Sequence, residues 1–384
     1  MIRKICLFFI CLFAYTFSIA QTDTAYHLRV SLLTCGVGDD LYASFGHTGV
    51  RVIDSSKHTD IVYNYGTFDF GDPNFYIKFT RGKLLYFISS DDFNSFMQEY
   101  IIEKRSVQEQ VFLFPAVEKH EIDSFLRWNM LPQNMYYKYD FLFDNCATRI
   151  RDIFPNVLKD GFQFGFTMPD GKEMTFRQII NQYLYRKQWE SFGINLLLGS
   201  RIDKIMTNRE TMFLPDFLRN GLANGTVNGR PISSEPDLIL PGSPMPPAGL
   251  NGPLILNIIL ALLVIIGVCF KPLRVLGKIM SSLLLLVTGL LGFFMLFMWF
   301  GTDHQACQDN LNILWALPTN VILAFNMKNK SRYAIIAIIL VLVSLLLHLL
   351  KIQELPLLQL FPLLIAMLFI YGSVYRRGRL NTKK

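Results

Sequence analysis

Charge and cysteine are both scarce in this sequence. Of 384 residues, 17% are charged and 51% hydrophobic, and the mean hydropathy is +0.31. That balance excludes a single ordinary soluble domain. Six cysteines are present; Cys6 and Cys11 lie in an N-terminal apolar run and Cys269 in a later one, which leaves Cys35, Cys146 and Cys307. Three thiols cannot all pair within one chain, so at least one stays free or finds a partner elsewhere, and a Cys35–Cys307 disulfide is left open. No internal repeat is present. Asp303, His304 and Cys307 come nearest to a metal-ligand set, but their spacing matches no established motif, so neither metal nor cofactor is expected. Nor does the net charge of +7 indicate a nucleic-acid partner. The excess sits in short loops between apolar runs: Lys271, Arg274 and Lys278; Lys328, Lys330 and Arg332; and Arg376, Arg377, Arg379, Lys383 and Lys384.

The apolar residues gather at the two ends. Residues 1–20 carry Arg3 and Lys4, then CLFFICLFAYTF, then Ser18-Ile19-Ala20. This is the pattern of a signal peptide, cut before Gln21. A retained anchor is the alternative, although the run is short for a span. No cysteine stands at the cleavage point, so the chain is not itself expected to be a lipoprotein. Near the C-terminus five apolar stretches, about 254–270, 279–300, 311–326, 333–350 and 355–375, each approach the length that crosses roughly 30 Å of hydrocarbon. The third is short and holds Pro318 and Asn320. With residues 21–228 outside, every basic cluster falls on the inner face, and the outer loop Gly301 to Asn310 has no Lys or Arg. The expected division is therefore 1–20 signal peptide, 21–228 exported domain, 229–253 Pro/Gly-rich linker, 254–375 five-helix membrane domain and 376–384 basic cytoplasmic tail.

Within the exported domain strands and helices alternate. Leu28 to Thr34 reads as a strand, and Gly46 to Ile53 with Ile61 to Gly66 as a hairpin in which His47 and Asn64 sit roughly opposite each other. Phe93 to Lys104 and Val117 to Met130 read as helices, and Thr175 with Gln178 as a capping box. The centre of the domain is YDFLFDNCATRIRD, Tyr139 to Asp152. Tyr139, Phe141 and Phe143 alternate like a strand, Asp144-Asn145 turns and caps, and Cys146 opens a helix. A cysteine there lies near unpaired backbone N–H groups and the positive end of the helix dipole, which favour the thiolate and can hold an oxyanion. The plainer reading is a small buried residue plugging a strand–helix corner.

A thiol nucleophile needs a base. His27, His58 and His120 read as solvated, whereas His47 begins a strand after a glycine. Cys146, His47 and Asn64 then form nucleophile, base and orienter, with Asp60 or a backbone carbonyl as substitutes for Asn64. Asn145 at the helix start, together with Asp303, His304 and Asn310 of the outer loop, are candidate contacts to substrate. For the loop residues the alternative is an ordinary polar turn.

Several segments resemble a known family. SLLTCGVGDDLYASFGHTGVRV, DIVYNYGTFDF, PNFYIKFTRGKL, EKRSVQEQ and YKYDFLFDNCATRIRD are similar to the exported domain of the Bacteroidota lipoprotein N-acyltransferase (Lnb) family, and TDHQACQDNLNILWALPTN to its membrane-domain loop. The resemblance implies an α+β exported domain of circularly permuted papain type, the lecithin:retinol acyltransferase kind, followed by an α-helical membrane domain of five transmembrane helices. It also implies that Cys146 and His47 are catalytic. The expected activity is a thiol acyltransferase at the outer face of the inner membrane. A phospholipid is the acyl donor and a diacylated lipoprotein the acceptor. A tethered cysteine peptidase or amidase, a phospholipase using water, and a non-enzymatic binding domain are the alternatives.

Overall fold

The strand Leu28–Cys35, LRVSLLTC, is buried at all but one position. It reads as a nearly continuous apolar run because both of its faces are covered. The computed structural model describes residues 27–168, 171–245, 247–327 and 330–381. The expected signal peptide, residues 1–20, lies outside them, as do Lys328, Lys383 and Lys384.

The first half runs β1 (Leu28–Cys35), β2 (His47–Asp54), β3 (Thr59–Thr67), α1 (Phe75–Thr80), β4 (Leu85–Asp92), α2 (Phe93–Ile102), β5 (Val107–Val111), α3 (Ala116–Asn129), β6 (Tyr136–Lys138) and α4 (Cys146–Leu158). Short elements follow: β7 (Phe162–Gln163), α5 (Phe176–Tyr183), α6 (Gln188–Leu197), α7 (Asn208–Thr211), α8 (Pro215–Ala223), β8 (Thr226–Val227), β9 (Arg230–Pro231) and β10 (Asp237–Leu240). Seven strands form one sheet in the order β10-β5-β1-β2-β3-β4-β6, with every pairing antiparallel. Val30 and Leu32 of β1 pack with Ile122 of α3 and Ile150 of α4 on one face. Leu33 and Cys35 pack with Phe96 and Tyr100 of α2 on the other.

Two expectations are corrected here. Tyr139 to Phe143 is not a strand; pairing ends at Lys138 and the chain turns. Asp140 drives the turn, because its carboxylate accepts from the N–H groups of Leu142 (2.9 Å) and Phe143 (3.1 Å). The aromatic alternation instead serves separate contacts, Phe141 on Phe45 and Phe213 and Phe143 on Phe176. The expected linker 229–253 is also partly structured. Asp237–Leu240 adds β10 to the edge of the sheet beside β5, so its polar backbone is paired.

The second half is helical: α9 (Gly252–Cys269), α10 (Arg274–Phe300), α11 (Asn320–Phe325), α12 (Ser331–Leu349) and α13 (Leu357–Asn381). Among the described residues four helices are long and apolar enough to cross a membrane, Gly252–Cys269, Lys271–Phe300, Ser331–Leu349 and Leu357–Leu380. The expected third span is not one long helix. It consists of a 3-10 turn at Leu311–Leu314, an irregular stretch through Pro318, and the six residues of α11. Pro318 cannot donate to a helical ladder, and the irregular backbone lies directly on α10 where Gly289 and Gly292 leave space. A Cβ on Gly292 would come within 2.9 Å of Pro318 N, and one on Gly289 within 2.6 Å of Val321 N. The Asn320 side chain accepts from Tyr333 and Tyr371 hydroxyls, both at 2.8 Å, and donates to Thr288 at 3.3 Å. Irregular backbone at such a depth is stable only when protein surrounds and satisfies it, as here.

Candidate active site

Cys146 is placed by the cap of its own helix. Asn145 and Thr148 form a capping box: Asn145 Oδ1 accepts from Thr148 N (2.9 Å), and Thr148 Oγ1 accepts from Asn145 N (2.7 Å). The two Asn145 amide protons go to Phe141 O (2.7 Å) and Phe213 O (2.8 Å). Its side chain is thus buried and engaged at each end, a capping position rather than an open one. It holds the turn before Cys146. Ala147, Ile150, Ile153 and Phe154 then bury one face of α4 against the sheet.

His47 opens β2. The register differs from the expectation, since Asn64 stands opposite Gly49 rather than opposite His47. The contact is made diagonally: His47 Nε2 lies 3.3 Å from Asn64 Oδ1. Gly49 permits it, because a Cβ there would crowd Asn64 Oδ1 at 3.0 Å. Asn64 Nδ2 donates in turn to Asp91 Oδ2 (3.4 Å), which leaves Oδ1 facing the imidazole. Nε2 therefore carries the proton, and Nδ1 keeps the lone pair that a base requires. Asp91 carries no motif and had no signal in the sequence. Asp60, the alternative orienter, pairs with Arg51 instead.

Cys146 lies beside Thr48, the residue that follows His47 in β2. The backbone N–H groups of Thr48 and Ala147 lie near the Cys146 sulfur and favour its charged form, and Gly66 lies against the residue, a Cβ there standing 3.8 Å from the cysteine's own. Burial pushes the Cys146 thiol up to about 11, more than these donors draw it down. The helix-start donors thus favour the thiolate, as expected, but burial outweighs them. Burial also pushes His47 down to about 4, with the Asn64 hydrogen bond opposing the shift and the Arg105 charge adding to it. Both groups rest neutral near pH 7. Cys35, paired with His47 across β1 and β2, is buried and pushed up to about 12, chiefly by burial. Neither Cys35 nor Cys307 is in a disulfide.

A cavity of about 590 Å³ opens beside this group, lined by Tyr42, His47, Asn64, Phe68, Phe70 and Arg105 among others. A larger one, about 1240 Å³, is bounded by Arg274, Lys278, Arg376 and Arg377, at the ends of the membrane helices remote from the exported domain.

The outer-loop residues lie at the junction of the two halves. Asp303 N donates to Arg81 O (2.9 Å) and its carboxylate meets Lys138 (3.1 Å). His304 Nε2 lies 3.1 Å from both Phe79 O and Thr80 O, at the end of α1. Asn310 is buried; it donates to Leu196 O and Leu197 O (2.9 Å each) and accepts from Asn312 N and Gln353 Nε2. Its side chain is fully engaged within the protein. Gln178 to Glu354 (2.9 Å) and Arg201 to Asp309 (2.6 Å) extend the junction.

A family model described as the Lnb N-terminal periplasmic domain matches residues 16–182, and one described as the Lnb transmembrane domain matches residues 248–379. The first contains Cys146, His47 and Asn64, and the second the outer loop. Neither a curated protein nor a solved structure matches the chain.

Proposed function

Because the chain belongs to the Lnb family, with a periplasmic domain and a membrane domain, we propose that it is a thiol acyltransferase of lipoprotein maturation at the outer face of the inner membrane. One observation carries the reading. Cys146 opens α4 beside Thr48 and Gly66, and the residue before Thr48 is His47, whose imidazole is hydrogen-bonded to Asn64. That arrangement suits acyl transfer, in which a thiol loses a proton as a carbonyl oxygen gains charge.

In this reading His47 Nδ1 takes the Cys146 proton as sulfur attacks an ester carbonyl of a phospholipid. The N–H groups of Thr48 and Ala147 hold the oxyanion. The tetrahedral adduct collapses, the lysophospholipid oxygen leaves with the proton from His47, and a Cys146 thioester remains. The α-amine of a diacylglyceryl-cysteine then attacks the thioester and gives its proton to His47. The sulfur leaves, recovers that proton, and an amide has formed. An unperturbed α-amine has a pKa of about 7.7–8.0, so a useful fraction is neutral near pH 7. The exported fold is assigned to the permuted papain type, and the broken segment 311–325 to the third of five crossings. Junction contacts of Asp303 and His304 support a site held at the bilayer, where both lipid substrates reside.

The test is mass spectrometry of purified protein with phospholipid and a synthetic diacylated lipopeptide bearing a free N-terminal cysteine amine. Addition of a third acyl chain, absent in Cys146→Ala and His47→Ala, is the expected result. An enzyme adduct that yields only free fatty acid makes the protein a phospholipase. No adduct and no product from folded protein overturns the proposal.

A further inference from the structure

The short helix α1 is apolar on the side that faces away from the protein. Phe75 points into the core, while Tyr76, Ile77 and Phe79 are 78%, 61% and 51% exposed, and Phe70 just before the helix is 69% exposed. Four large apolar side chains in one ten-residue stretch need a cover if they are not to remain in water. Their position says what covers them. The end of α1 is hydrogen-bonded to the loop that leaves α10, through Asp303 N to Arg81 O and His304 to Phe79 O and Thr80 O. Asp303 is three residues beyond Phe300, the last residue of a membrane-length helix and itself 73% exposed. The apolar face of α1 is therefore fixed at the height where hydrocarbon gives way to headgroups. Arg81 and Lys83 are exposed next to it, as befits a surface that meets phosphates.

The same stretch leads inward. Phe70 and Phe68 pack on Phe75 at 4.9 and 5.7 Å between ring centroids and on each other at 4.7 Å, and both line the cavity beside His47. Gly66, two residues before Phe68, lies against Cys146. We propose that α1 and Phe70 are seated in the outer leaflet and form the lateral entrance through which a phospholipid chain passes along Phe70 and Phe68 to Cys146. The seating rests on exposure and junction geometry alone; the passage of a donor rests also on the acyl-transfer reading.

Spin labels on full-length protein in phospholipid nanodiscs test the seating. Labels at Ile77→Cys, Val287→Cys in α10 and Leu238→Cys in β10 are compared in a Cys146→Ala, Cys269→Ser background. Leu238 is the aqueous reference, because β10 lies at the opposite edge of the sheet from β6. The Ile77 label is expected to favour collision with oxygen over a nickel chelate, as the Val287 label does. An Ile77 label as open to the chelate as that at Leu238 overturns the proposal, and leaves the face to a soluble or protein partner. For the passage, Ile77→Asp is compared with wild type on two donors. Transfer from bilayer phospholipid should fall about tenfold, with transfer from a dihexanoyl phospholipid in solution within about twofold of wild type. Equal losses on both donors refute the entrance. If wild type transfers from neither donor, the acyltransferase reading fails, and the spin labels still decide the seating.

Discussion

Cys146 should be a slow thiol until substrate arrives. Its pKa is pushed up to about 11, against 9.0 for an unperturbed cysteine. At pH 7 the thiolate fraction is then about 10⁻⁴, near a hundredth of that of a free cysteine. The rate of alkylation by iodoacetamide follows the thiolate. It should therefore be about a hundredfold below that of a model thiol at pH 7, and should climb about tenfold per pH unit through pH 9 without a plateau. The physical alternative is a preformed thiolate–imidazolium pair, which would react steadily from about pH 5 to 8 and lose reactivity when the imidazolium loses its proton. The assay is alkylation of intact protein followed by peptide mass spectrometry, so that Cys269, which is exposed, is counted separately. A flat, fast profile through neutral pH for Cys146 would show that an ion pair overrides burial, and would refute the neutral-pair account. The mechanism depends on the result. With a neutral pair, His47 must take the proton during attack, and the acylation rate should rise with pH only through the low pKa of His47, about 4, and hold level above it.

Four further outcomes are expected. His47 has a folded pKa near 4 against 6.5 unperturbed, so the unfolded chain binds its proton first and stability falls as pH drops from about 6.5 to 4; thermal unfolding of His47→Gln should show a shallower loss over that window than wild type. Asn64→Ala frees Nε2 and should slow acylation by about tenfold to a hundredfold, less than His47→Ala, because the base remains but loses its orientation; single-turnover acylation of Cys146 measures it. Asn310→Ala strands Leu197 O in a buried junction, at roughly 1–3 kcal/mol, while Leu196 O keeps its bond from Asn312 Nδ2; Asp303→Ala removes an exposed ion pair and should leave the unfolding temperature unchanged. Gly292→Val drives a side chain into the backbone around Ala316 and Pro318 and should cost about 1–3 kcal/mol, visible as a lower unfolding temperature in detergent.

Periodicity was informative wherever one element alone decides the outcome. The run of β1, the hairpin of β2 and β3, the helices after Phe93 and Ala116 and the four long apolar helices all stand where their residues suggest. What stayed hidden depends on partners distant in sequence. Asp140 bonds its own turn, and that outcompetes strand pairing for Tyr139 to Phe143. Residues 237–240 carry no strand signal of their own and become β10 because β5 offers an open edge. Asp91 is invisible as a site residue because only the pairing of β3 with β4 brings it to Asn64.

The outer loop shows why residue type alone does not assign a role. Asp303, His304 and Asn310 look like ligand-binding residues because polar side chains beside a membrane are costly unless something satisfies them. Here the satisfying partners belong to the other half of the chain: Lys138 for the Asp303 carboxylate, the carbonyls of Phe79 and Thr80 at the end of α1 for His304, and those of Leu196 and Leu197 at the end of α6 for Asn310. A site for membrane-borne substrates must be held at a fixed height above the bilayer, and a loop between two spans is the part of the chain whose height is already set. Bonding that loop to α1, a few residues beyond β3, whose Gly66 lies against Cys146, ties the height of the thiol to that of the loop. On the proposed acyl-transfer reading, the polar residues of the loop act through position, and changing them should alter the use of bilayer donors before it alters the reactivity of Cys146 itself.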